Sequence, residues 1–321
     1  EERTLVECTD TNLKKRAAKF ELPDDYATVK VSFLDPKRGK LPCLQTSVIS
    51  PETSTSLNQE KTWLDACLKD ETCATWADFH SKVDILQGEN FKTSVSVLPV
   101  FHEQAHSMSM MVHSMHVVSK AVRFLNPGQI PVIVVDQPLY ALCKSIQWQD
   151  AAFSEENIFV MLGGMHIELA ALRVAGQWLE GSGWTAALVD AGVTTQGRAD
   201  ATIKASHLTR SRYAHQVTAA ALYRLQVAAY EEYSSDDPLT FEDWRHEMRK
   251  SSVQFRFWDI ALQLELTVLL LVRATRTANF CLYKKALKML APWFFALDHV
   301  NYARWLPVHI RDLVSSITGT G

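Results

Sequence analysis

Three groups of residues in this chain have types and spacings that can do chemistry. The first is Asp136 with His166: Asp136 closes the run I-P-V-I-V-V, and His166 follows I-F-V-M-L-G-G-M. A carboxylate at the end of a buried strand is fixed by the strand and open to solvent through its loop, which suits it to hold a divalent cation. An imidazole at the same edge can serve as base, ligand or hydrogen-bond donor. The everyday alternative for Asp136, which precedes Gln137-Pro138, is a turn-forming role, and for His166 a helix start satisfied by backbone groups.

The second group is His102-Glu103-Gln104-Ala105-His106, a literal H-E-x-x-H. In that pattern two histidines one helical turn apart hold Zn²⁺, here His102 and His106, while Glu103 activates a water. Pro99 just upstream puts the motif at a helix start, and no third ligand follows at the customary distance, His113 and His116 being nearest. The third group is Lys204, His207, Arg210 and Arg212, in a stretch from Ala201 to Tyr230 that contains no Asp or Glu. Such a strip can follow a phosphate backbone, with Tyr213 available to stack on a base, and Arg273 and Arg276 can extend it. The competing reading is a solvated face paired with the acidic segment that follows it, with helix-end bases complementing the helix dipole. There is no Walker loop, no G-x-S-x-G elbow and no G-x-G-x-x-G fingerprint.

The elements that must position these residues follow from periodicity. Ile130–Val135 and Ile158–Leu162 are short β-branched runs bounded by Pro, Gly or Asp, which predicts strands buried on both faces. Leu139–Trp148 between them has helical spacing, so the three form a strand–helix–strand unit with its chemistry at the carboxyl edge. Ala27–Asp35 and Ser94–Val100 alternate as further strands. Trp63–His80 holds two short helical clusters, and a helix over Gln104–Leu125 ends at Asn126-Pro127-Gly128. After His166 the pattern is helical: Ile167–Leu179, then Tyr213–Tyr230, residues 241–277, 280–298 and Asn301–Ser315. Thr240 and Asp243 are spaced to cap the helix that follows Pro238. Ile260–Val272 is apolar but interrupted by Gln263 and Glu265, which predicts a buried helix and not a membrane span.

Composition narrows the classes. In 321 residues, 47% hydrophobic and 21% charged, there is ample material for a core. A net charge of -3 supplies no global basic field, so any contact with nucleic acid must come from a local patch. The six cysteines (Cys8, Cys43, Cys67, Cys73, Cys143, Cys281) show no C-x-x-C pair, which favours reduced, mostly buried thiols inside the cell.

Several phrases carry a resemblance: L-N-P-G-Q-I-P-V-I-V-V-D-Q-P-L-Y-A-L, F-V-M-L-G-G-M-H-I-E-L-A, K-A-S-H-L-T-R-S-R-Y-A-H-Q-V-T and P-W-F-F-A-L-D-H-V-N-Y-A-R-W-L-P. Together they resemble a large family of animal proteins derived from mobile elements and multiplied in cnidarian, mollusc and fish genomes. Asp136 and His166 are more distantly similar to the middle acid and the histidine of Mutator-like transposases. That similarity implies an α/β fold, a ribonuclease-H-like mixed sheet core with a large all-helical insertion or C-terminal half. It also implies Mg²⁺ at Asp136, phosphodiester chemistry, a DNA partner and a nuclear location. The first and last acids would lie beyond Glu1 and Gly321, making this chain a middle portion. Zn²⁺ at His102 and His106 is the alternative, and a catalytically inactive interaction module is a third. The expected division is an irregular region at 1–92, the α/β core at 93–180, a mixed insertion at 181–238 and a helical region at 239–321. A homo-oligomer is compatible with all three readings, and a membrane partner with none.

Overall fold

The computed structural model describes residues 24, 26–37, 57–69, 75–83, 97–98, 104–233 and 239–318. The chain divides into two compact units, one of Glu1–Leu44, Gln87–Gly163 and Val314–Gly321, the other of Gln45–Leu86 and Gly164–Leu313.

In the first unit, Ser107 opens helix α3 (Met108–Leu125) by accepting the Met110 N–H at 3.1 Å. The helices before it in the chain, α1 (Asn58–Lys69) and α2 (Trp76–Val83), belong to the second unit. Met108, Met111 and Met115 bury one side of α3, and it stops at Asn126, before Gly128 turns the chain at φ 88°. Strand β1 (Val132–Val135), helix α4 (Gln137–Gln147) and strand β2 (Phe159–Leu162) follow, the strands pairing in parallel with Val132 opposite Phe159 and Val135 opposite Leu162. Helix α4 buries Tyr140, Cys143 and Ile146 and packs on β2 and α3. The strand–helix–strand unit is therefore present.

The sheet built on it is not the expected one. Among the described residues it has two strands of four residues each, and the rest is mostly helical, which overturns a ribonuclease-H-like mixed sheet core. The physical reason is visible on β1: Val132 and Val134 are 50% and 60% exposed, so this strand is not covered on both faces. The alternating segment Ala27–Asp35 forms no ladder. Side chains hold its backbone instead: Ser109 Oγ accepts the Ser32 N–H at 2.8 Å, and Gln149 both accepts from the Asp35 N–H at 3.2 Å and donates to the Asp35 carbonyl at 2.7 Å. Of Ser94–Val100, only Val97 and Leu98 fall within the described residues.

The second unit is all helical among its described residues: α1 (Asn58–Lys69), α2 (Trp76–Val83), α5 (Gly164–Leu179), α6 (Trp184–Asp190), α7 (Ala199–Ile203), α8 (Leu208–Glu231), α9 (Phe241–Ser251), α10 (Val253–Arg276), α11 (Phe280–Ala296) and α12 (Val300–Thr318, within this unit to Leu313). Thr240 caps α9, its Oγ1 accepting the Asp243 N–H at 3.2 Å and donating to Asp243 Oδ2 at 2.6 Å. Ser252 then ends α9 and starts α10, its Oγ accepting the Phe255 N–H at 3.1 Å. Helix α10 is the spine. It is continuously buried from Leu264 to Ala274 and packs against α1, α5, α8, α9 and α11. Burial on every side is why its sequence is nearly uniform in hydrophobicity and not striped. Helices α5 and α7 cross at Gly176, where a Cβ would lie 2.2 Å from the Ile203 carbonyl oxygen. No helix among the described residues is long and apolar enough to cross a membrane.

Candidate nucleic acid interface

Asp136 and His166 fall in different units, and each is held by its local structure. Asp136 is the N-cap of α4: its Oδ1 accepts the Leu139 N–H at 3.1 Å and its carbonyl accepts the Tyr140 N–H at 2.8 Å. Satisfying the first N–H groups of a helix is work that Asp is well suited to, and Pro138 fits the same first turn. His166 is exposed on the first turn of α5, and its carbonyl accepts the Tyr302 hydroxyl at 3.0 Å. A Mg²⁺ site for phosphodiester cleavage needs several convergent carboxylates. Among the described residues no group of three or more His, Cys, Asp or Glu side chains is placed to hold a metal ion, so the residues around Asp136 do not fit that role.

His102 and Glu103 lie outside the described residues. Gln104–His106 form a turn closed by the Ser107 N–H on the Gln104 carbonyl at 3.1 Å, and α3 begins only at Met108. His106 is thus exposed ahead of the helix and lacks the helical setting that gives H-E-x-x-H its paired ligands. His113, on α3, is engaged through Nε2 with the Tyr26 carbonyl at 2.7 Å.

The basic group divides into structural and exposed members. Arg273, only 6% exposed, is clamped by Glu60 of α1, with Nε to Oε1 at 2.5 Å and Nη2 to Oε2 at 3.1 Å, and by Gln59 Oε1 at 2.6 Å. Arg212 makes a two-pronged pair with Glu168 of α5 at 2.6 and 2.9 Å. The planar guanidinium matches a carboxylate in that geometry, which fixes α8 against α5. Lys204, His207 and Arg210 are exposed, and Tyr213 is 53% exposed. Arg276 is exposed at the end of α10, its guanidinium 5.3 Å from the Trp76 ring. Burial, and then the nearby Arg212 charge, disfavour the Arg276 cation, with Glu168 acting in the opposite sense. Arg173, exposed on α5, donates from Nε to the Lys204 carbonyl at 3.1 Å. Cations from α5, from the turn entering α8 and from the end of α10 therefore gather in one unit.

Residue types alone do not reveal the role of Arg173, which comes from a mostly apolar helix, nor the burial of Arg273. The second has a sequence signal in hindsight, since Arg273 directly continues the run Ile260–Val272. Two further buried pairs tie neighbours to α10. Glu265 Oε1 lies 2.8 Å from His215 Nδ1 of α8, both side chains 1% exposed, and the His215 ring packs against Trp184 with centroids 5.0 Å apart. Asp259 pairs with Arg245 of α9 and accepts from Gln226 Nε2 of α8 at 2.8 Å. These buried pairs set helix positions.

Comparison with characterised proteins finds no match, and comparison with solved structures finds none. Residues 75–240 and 234–318 match a family described as a domain of unknown function, DUF8702. The chain belongs to the DUF8702 family.

Proposed function

We propose that this protein is a DNA-binding module that works without phosphodiester chemistry of its own and acts in the nucleus. The observation that carries the reading is the gathering of exposed Lys204, His207 and Arg210 with Arg173, Arg212 and Arg276, around a stretch free of Asp and Glu from Ala201 to Tyr230. Because the chain as a whole carries a net charge of -3, only such local concentration can attract a polyanion. Lys204 and Arg210 are free to reach phosphate oxygens, and Arg276, raised on the Trp76 ring, extends the footprint. Tyr213 presents a face on which an unpaired base can stack. Contacts of this kind position a duplex without reading its sequence. The reading keeps the DNA partner implied by the mobile-element resemblance and drops the two-metal chemistry, for which Asp136 offers no convergent acids among the described residues.

The test is fluorescence anisotropy with a short random-sequence duplex at low ionic strength. Binding that weakens in Lys204→Ala/Arg210→Ala, with unchanged circular dichroism, is the expected outcome. Equal affinity in the double variant removes this face from the site.

A further inference from the structure

The second unit also holds a concavity of about 720 Å³ where α6, α8, α9 and the start of α10 meet. Its 19 lining residues include no charged side chain. Small residues make the space: Ala187 on α6 and Ala191 just after it are one helical turn apart, and Ala221 and Ala229 on α8 are two turns apart, so each pair falls on one side of its helix and leaves a trough. Large rings close it, Trp184 from α6 and Phe255 and Trp258 from α10. Polar groups from Trp184, Thr218 and Gln226 in the wall are engaged by their own neighbours. Thr218 Oγ1 accepts from Trp184 Nε1 at 2.7 Å and donates to the Ala214 carbonyl at 2.8 Å, and Gln226 Nε2 donates to Asp259. At the rim, Leu225 is 66% exposed, a large apolar side chain held in water beside an apolar hollow.

We propose that this concavity is a binding site for an uncharged, apolar small molecule of aromatic or alkyl character. The volume lies within the roughly 300–1,000 Å³ that small-molecule sites occupy, and the apolar, aromatic lining is what such sites use. The absence of charge from the lining decides between occupants. A ligand that carries a charge loses ionic hydration that this wall cannot restore, whereas a wholly uncharged ligand has none to lose. The rings of Trp184, Phe255 and Trp258 in the wall favour a flat or flexible apolar body over a polar one. The site is independent of the basic face, and its occupancy requires no DNA.

The experiment titrates the intact chain with the uncharged fluorescent probe phenyl-naphthylamine, following probe emission and tryptophan quenching. Saturable binding of one probe per chain is expected. Ala221→Trp on α8 and, separately, Ala187→Trp on α6 fill the trough from opposite walls and weaken binding about tenfold or more while leaving the unfolding temperature unlowered. Lys204→Ala/Arg210→Ala leaves probe affinity unchanged, which separates this site from the proposed DNA face. No saturable binding, or binding indifferent to both Trp variants, overturns the proposal. So does a concentration-dependent dimer that either Trp variant converts to monomer, because a second copy then fills the hollow.

Discussion

Replacing Glu60 by Gln tests whether Arg273 serves the fold or the ligand. Three hydrogen bonds at 2.5, 3.1 and 2.6 Å hold the Arg273 guanidinium against Glu60 and Gln59, with the Glu60 side chain 0% and the Arg273 side chain 7% exposed. At that depth the solvent cannot replace a lost carboxylate charge, and removing one partner of a buried pair costs about 3–5 kcal/mol. For a unit of this size, about 3 kcal/mol lowers the unfolding temperature by roughly 6–12 °C. Guanidinium titration followed by circular dichroism measures the loss directly. The paired change Glu60→Leu/Arg273→Met removes both charges and fills the space with apolar atoms, so it recovers most or all of the loss. That double variant also retains DNA affinity, since Arg273 does not reach the surface. A Glu60→Gln protein within about 0.5 kcal/mol of the parent, or a double variant as unstable as the single one, refutes the reasoning.

Other expectations follow from single positions. Gly176→Ala drives a Cβ to 2.2 Å from the Ile203 carbonyl oxygen, and the separation of α5 from α7 costs about 1–3 kcal/mol in chemical denaturation; an unchanged midpoint contradicts the close crossing. Burial pushes the Cys143 thiol from 9.0 up to about 12, with the Lys144 charge opposing the shift, so native Cys143 resists alkylation at mildly alkaline pH while exposed Cys281 reacts, as peptide mapping after iodoacetamide shows. The sign of the linked pH effect is fixed: the folded state keeps a proton that the unfolded state releases. The contribution is complete below pH 9.0 and is lost as pH rises toward about 12, at up to ~1.4 kcal/mol per pH unit, and Cys143→Ala flattens that decline. Ala278, after α10, has φ 50°, a left-handed conformation that a side chain disfavours, so Ala278→Gly raises stability by up to about 1 kcal/mol; a lower unfolding temperature contradicts it.

Local signals carried far in this chain, and long-range ones did not. The stop at Asn126-Pro127-Gly128, the Thr240 cap with Asp243 and the buried helix over Ile260–Val272 each depend on a few adjacent residues, and each is where the periodicity and caps put it. The strand–helix–strand unit was equally legible, but the size of its sheet was not. A run such as V-I-V-V has the same local appearance in a large sheet as in a two-stranded one, and only the 50% and 60% exposure of Val132 and Val134 separates the two. The type and position of Asp136 at the end of this strand suit chemistry, whereas the hydrogen bond it accepts from Leu139 serves a helix start. Sequence also marks Arg212, Arg273 and Lys204 alike as cations. Their division into clamps and surface depends on Glu168 and Glu60, which are 44 and 213 positions away from their partners. The hollow beside Trp258 is least legible of all, because alanines on two helices record a space only once those helices are side by side.

The salt dependence of DNA binding addresses the DNA reading most directly. Each phosphate neutralised contributes about -0.9 to the slope of log affinity against log salt, so titrating the duplex from about 50 to about 200 mM NaCl counts the contacts. A phosphate-binding face gives a steep slope for the parent protein and one shallower by about 1.8 for Lys204→Ala/Arg210→Ala. A flat slope in the parent, or the same slope in both proteins, contradicts a phosphate-binding role for this face.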